Sequence, residues 1–122
     1  MMRLCLIPAV FFASAASAET FLNNPGFCNA PDAEQELAGT AYLTPQGIEA
    51  HWAACFWETG EQTYEPGLET RLTAQCDDGA RQWTMGFSVS VNAQGRVQIW
   101  ADGANPLPDY YFPCSRWGYK TP

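Results

Sequence analysis

The sequence predicts a mostly β domain: a single antiparallel meander, curled or closed into a small barrel, with one short helix and two disulfides. Three observations carry that expectation. Trp83, Met85, Phe87, Val89 and Val91 alternate with Thr84, Gly86, Ser88 and Ser90, which is the period of a half-buried strand. Turn-forming clusters separate such runs, at Pro45-Gln46-Gly47, Asp77-Asp78-Gly79 and Asn92-Ala93-Gln94-Gly95. Four cysteines, Cys28, Cys55, Cys76 and Cys114, remain once the N-terminal leader is set aside, an even count that reads as two disulfides in a small exported domain.

Residues 1–18 have the pattern of a secretory signal peptide. Met1-Met2-Arg3 precedes an apolar run and the small residues 13–18, so cleavage is expected after Ala18, with Ala16 and Ala18 at the positions that signal peptidase reads. The apolar run is shorter than the ~20 residues of a permanent anchor, and Cys5 leaves with it. Residues 19–122 then form one domain of 104 residues, expected in the periplasm or outside the cell. Its thirteen acidic groups stand against five basic ones (Arg71, Arg81, Arg96, Arg116, Lys120), a net charge of −8 with His51 neutral. Nucleic acid is a poor partner for such a chain, because phosphate binding needs a basic footprint. A basic protein surface is the complementary one. No membrane span is expected.

Taken in order, residues 19–26 read as a loose leader with a turn at Asn23-Asn24-Pro25-Gly26, tied down by Cys28. Residues 31–38 carry Pro near the start, acids in the first turn and Gly39 just beyond the end, the pattern of a two-turn helix. Strands are expected over 40–44 and 48–58, flanking the Pro45-Gln46-Gly47 turn. In the second of these Ile48, Ala50, Trp52, Ala54 and Phe56 share one parity and Ala53, Cys55 and Trp57 the other, which predicts a strand buried on both faces or a bulge near Ala53. The polar stretch 59–67 leads to a strand over 68–76. After the central strand, 96–102 returns with Val97, Ile99 and Ala101 inward and Trp100 outward. Residues 102–109 hold two prolines and form a loop. A last short strand over 110–112 delivers Cys114, and 115–122 is an aromatic tail with Trp117 and Tyr119.

Three cysteine pairings are possible in principle. If 48–58 and 68–76 pair so that Cys55 lies opposite Cys76, Trp57 faces Ala74 and the turn falls on 64–67, and cross-strand Cα atoms lie about 4.5 to 5.5 Å apart, within reach of a disulfide. Cys55–Cys76 is expected on that geometry, and Cys28–Cys114 by elimination. Gly47-Ile48-Glu49 before Cys55, Leu72-Thr73-Ala74-Gln75-Cys76 followed by Gly79 and Trp83, and the closing Tyr111-Phe112-Pro113-Cys114 resemble small four-cysteine secreted proteins of Gram-negative bacteria that mostly have no assigned role. The chain departs from that pattern at Phe27, where a tryptophan is usual. More loosely, the architecture is similar to periplasmic inhibitors of lysozymes and metalloproteases, which are also small disulfide-stapled β-domains, and no inhibitor loop motif carries over residue by residue.

No catalytic set, cofactor or metal ligand emerges from the residues. Zinc would need a Cys-x-x-Cys pair or further histidines, and the Asp-Gly turns lack the spaced ligand series of a calcium loop. His51, the single histidine, has no nucleophile-elbow serine to serve and reads as structural. Glu58, Glu61, Glu65 and Glu69 gather at one hairpin end, too solvated a setting for the raised-pKa acid of a glycosidase. The aromatic residues exceed what so small a core buries, so some are exposed anchors. Trp100 opposes the inward parity and Tyr110 follows a loop. The expected partner surface is therefore Glu58, Glu61, Glu65, Glu69, Trp100 and Tyr110, facing a basic envelope or secreted protein as an inhibitor does. The alternative is a glycan or cell-wall module that uses exposed rings as stacking platforms.

Overall fold

A computed structural model describes residues 19–103 and 107–117. The expected signal peptide (1–18), the middle of the proline loop (104–106) and the tail 118–122 with Tyr119 lie outside the described residues. Eight strands follow in chain order: β1 (Phe21–Leu22), β2 (Ala41–Thr44), β3 (Gly47–Ala50), β4 (Ala54–Trp57), β5 (Glu69–Asp77), β6 (Gln82–Val91), β7 (Val97–Ala101) and β8 (Asp109–Pro113). Each pairs antiparallel with the next and β8 returns to β1, closing the sheet into a barrel. Closure leaves no open sheet edge. Helix α1 (Asp32–Leu37) and a 3-10 turn (Pro25–Phe27) join β1 to β2, and a one-turn helix α2 (Cys114–Trp117) follows β8. No helix among the described residues is long and apolar enough to cross a membrane.

An eight-stranded barrel has an interior just wide enough for side chains to fill. Here Leu72, Ala74 and Cys76 of β5, Phe87, Val89 and Val91 of β6, and Val97 and Ile99 of β7 fill it. Trp57 meets Phe87 edge to face, with ring centroids 5.5 Å apart. The interior is a packed core, so any ligand site belongs to the ends or the outer face.

Two expectations need correction. The run 48–58 is two strands folded back on each other, with Ile48 opposite Cys55 and Glu49 opposite Ala54. The Ala50 amide donates to the Ala53 carbonyl at 2.8 Å, so His51 and Trp52 form a two-residue turn. Apolar residues of both parities reflect this reversal, which flips the inward set, and neither a doubly buried strand nor a bulge. Gly47 makes the close approach possible: a Cβ there would overlap the Cys55 carbonyl oxygen and lie 2.9 Å from Phe56 Cα.

Residues 19–26 are likewise no loose leader. Phe21 pairs with Leu43 and Pro113, and Leu22 with Tyr42 and Phe112. Phe21 enters the core, while Leu22, of opposite parity, is buried outside it. The 3-10 turn packs on β1 and β8, and α2 packs on β8 and on that turn, so residues 115–117 of the expected tail are helical. Cys28–Cys114 fastens this layer, and Cys55–Cys76 joins directly opposed residues of β4 and β5 whose Cα atoms are 4.0 Å apart.

Helix α1 matches the expected segment, but it is held by polar contacts. Buried Gln35 donates through Nε2 to the carbonyls of Phe27 (2.7 Å) and Ala30 (3.1 Å) and accepts from the Tyr42 hydroxyl at Oε1. Leu37, its one large apolar side chain, is 89% exposed.

Candidate partner-binding site

The four glutamates and two rings expected on one surface divide among three places. Glu61 and Glu65 reach a cleft of about 420 Å³ at the barrel mouth where the β2–β3 turn, the 58–68 connection, the β6–β7 turn and the segments around Phe21 and Pro113 meet. Glu69 and Trp100 line a recess of about 410 Å³ on the outer face of β5, β6 and β7. Tyr110 lies on that face one strand further, opposite Gln98. Glu58 stands apart, accepting from Gln75 Nε2 at 2.6 Å.

The mouth cleft has an apolar lining of Phe21, Pro45, Tyr64, Pro66 and Pro113. Tyr64 is the keystone. Its hydroxyl accepts from Trp57 Nε1 at 2.7 Å and donates to the Thr44 carbonyl at 2.6 Å, and its ring stands edge-on to Phe21 at 5.6 Å. Burial pushes the Tyr64 phenol up to about 12, against the smaller lowering effect of the Trp57 hydrogen bond. Backbone hydrogen bonds hold the walls: Gln62 N–H to the Pro45 carbonyl (2.8 Å), Gly67 N–H to Val91 (2.9 Å) and Trp57 N–H to Gln46 (2.8 Å).

Three carboxylates stand in the same lining, Glu61, Glu65 and Glu19. Glu19 accepts from the Ser115 hydroxyl at 2.5 Å and the Ser115 amide at 3.1 Å. Glu61 Oε2 accepts from Gln46 Nε2 at 2.9 Å. Glu65 has no side-chain partner among the described residues, and none of the lining residues is Lys, Arg or His. Glu19 and Tyr64 were not foreseen as site residues. Glu19 follows directly on the expected signal peptide, where no motif marks it, and Tyr64 lies in a polar connection that gives no periodic signal of burial.

On the outer face, Arg71, Ser88 and Trp100 form one cross-strand row. Arg71 donates to Ser88 Oγ at 2.7 Å and pairs with Asp102. That pair lies over Gly86, where a Cβ would meet it. Trp100 is 38% and Tyr110 37% exposed, and Arg96 stacks on the Tyr110 ring at 4.4 Å. A larger exposed ring was missed: Trp52, 60% exposed, at the tip of the unforeseen β3–β4 turn.

His51 shares that turn and pairs with Glu36 of α1 at 2.9 Å, both side chains open to solvent. It borders a shallow recess of about 260 Å³ with Asp32, Thr40 and Glu49. No serine or cysteine thiol stands there to be activated. Among the described residues no three of His, Cys, Asp and Glu converge to hold a metal ion. No protein-family model, no curated protein and no solved structure matches this chain.

Proposed function

We propose that this chain is an exported, non-catalytic binding domain whose acidic barrel mouth docks a basic protein partner, and that the partner class is a basic hydrolase of the bacterial envelope, blocked by the contact. One observation carries the reading: a cleft with apolar walls and three carboxylates, without a cation among its described lining residues. Its walls are fixed by backbone hydrogen bonds, so little ordering entropy opposes binding. The net charge of −8 over residues 19–122 steers a basic partner toward the protein and makes association salt-dependent.

The test is inhibition and capture of purified basic lysozymes and metalloproteases by the disulfide-bonded protein at low and high salt. Retention released by salt and reduced by Glu61→Gln and Glu65→Gln, with Trp100→Ala neutral, is the expected result. Binding that ignores salt and both carboxylates would overturn the reading.

A second reading, a neutral glycan on the outer face, is favoured by the row of Trp100, Ser88 and Arg71, which sets a ring beside a hydrogen-bonding fork whose charge Asp102 neutralises. It predicts a tryptophan fluorescence change with oligosaccharides that Trp100→Ala abolishes and salt leaves alone.

A further inference from the structure

Resting on that reading of the mouth cleft, we propose that its occupant is a single arginine side chain presented by a loop of the partner. The cleft, about 420 Å³, has room for one long side chain with some water and too little for a helix or strand. Its charge selects a cation. Its shape and the state of its acceptors select which cation.

Both Glu19 oxygens already accept from Ser115, and Glu61 Oε2 accepts from Gln46. What remains open is the whole Glu65 carboxylate and Glu61 Oε1. Those acceptors suit a planar fork with five N–H donors, whose two edges engage carboxylates bidentately. Ring and proline surface from Phe21, Tyr64, Pro45, Pro66 and Pro113 makes up much of the remaining wall, beside Gln62, Thr63, Gly95 and Ser115. A guanidinium is flat and weakly hydrated and lies against such surfaces with little desolvation loss, whereas an ammonium is a strongly hydrated point charge that gives up more of its water to enter beside apolar walls. The aliphatic stem of the arginine lies along Pro45, Pro66 and Pro113 as its head reaches the carboxylates.

The probes are blocked tripeptides, Ac-Gly-X-Gly-NH2 with X arginine, lysine or citrulline, titrated into the isotopically labelled, disulfide-bonded protein and followed by amide chemical shifts. The arginine peptide is expected to move the amides of residues 61–65, Gly95 and Ser115. Lysine should bind roughly fivefold more weakly, and citrulline, the neutral isostere, should not bind. Glu65→Gln is expected to weaken the arginine peptide about tenfold, and Trp100→Ala to leave it unchanged. Equal affinity for lysine and arginine, or shifts confined to other faces, would overturn the inference. The two levels fail separately. A basic protein still captured in a salt-dependent, Glu61- and Glu65-sensitive way while the arginine peptide misses the cleft removes the arginine anchor and leaves the basic-partner reading. Peptide binding at the cleft with no basic protein retained supports the anchor site and removes that reading.

Discussion

Replacing Tyr64 by phenylalanine is the sharpest test of how the mouth is built. The ring and its edge contact with Phe21 survive, and only the hydroxyl goes. That oxygen joins the Trp57 indole N–H to the Thr44 carbonyl, and Tyr64 is only 8% exposed. Both partners lose a hydrogen bond in a place water does not easily reach. Leaving a buried polar group unpaired costs about 1 to 3 kcal/mol. Trp57 is buried and bears the full penalty, whereas a carbonyl at a strand end recovers part of its share from solvent. The net expectation is a loss of about 2 to 3 kcal/mol, a large fraction of the stability of a domain this size. The assay is urea unfolding with both disulfides intact, where the midpoint should fall by roughly 1 to 2 M at unchanged slope. A change below about 0.5 kcal/mol, the range of ordinary surface substitutions, would refute the keystone role and with it the fixed shape of the cleft.

Gly47→Ala should cost more than about 2 kcal/mol or prevent folding, since its Cβ overlaps the Cys55 carbonyl oxygen across the β3–β4 pair; thermal unfolding reads this directly. Loop length ranks the disulfides: removing Cys28–Cys114, 86 residues apart, should cost about 4 to 5 kcal/mol, and removing Cys55–Cys76, 21 apart, about 3, to be measured on the paired Cys→Ser variants. Alkali should unfold the protein through its buried phenols. Burial raises Tyr64 from 10.0 to about 12, and raises Tyr111 further in the same direction, with Asp109 and Tyr64 adding to it. A raised folded-state value contributes stability that is whole below pH 10 and is lost as the pH climbs through 12. Tyr64 alone then accounts for about 1 kcal/mol of loss at pH 11, and Tyr64→Phe should flatten that part of the pH profile.

Strand content was legible wherever strands are long. Over β5, β6 and β7 the inward set follows directly from parity, because one face meets the core and the other meets water. The same pairing logic brings Cys55 opposite Cys76 and Trp57 opposite Ala74. Legibility fails where an element is shorter than its own period. Two residues cannot show an alternation, so Phe21 and Leu22 look like any apolar pair, and nothing local says that one enters the core and the other is buried outside it. The β3–β4 reversal is hidden for a different reason. His51 and Trp52 carry none of the turn chemistry of Gly, Pro, Asn or Asp, so the only trace is the switch of apolar parity, which a bulge would also leave. The mouth cleft was half visible: Glu61 and Glu65 stood out as charges in one hairpin connection, but the cleft also draws on residues 19–21, 45, 95 and 113–115. Only barrel closure makes those segments neighbours.

Closure also ties the candidate site to the weakest seam of the fold. β1 contributes two residues to each of its ladders, whereas β5 and β6 share nine registered pairs. Few backbone hydrogen bonds hold so short a strand, and short ladders open first. Glu19 sits two residues before Phe21, fixed to Ser115 directly after Cys114, and the Cys114 amide donates to the Thr20 carbonyl at 2.8 Å. The Cys28–Cys114 bridge therefore fastens the barrel at the point where one of the three mouth carboxylates and the Pro113 wall are set. That bridge is the covalent tie across the β1–β8 seam, which carries Glu19 and Pro113 to the cleft, whereas Glu61 and Glu65 belong to the 58–68 connection. On this architecture the long-range disulfide does two things at once: it limits the unfolded chain and it ties together the segments that carry Glu19 and Pro113 to the acidic mouth.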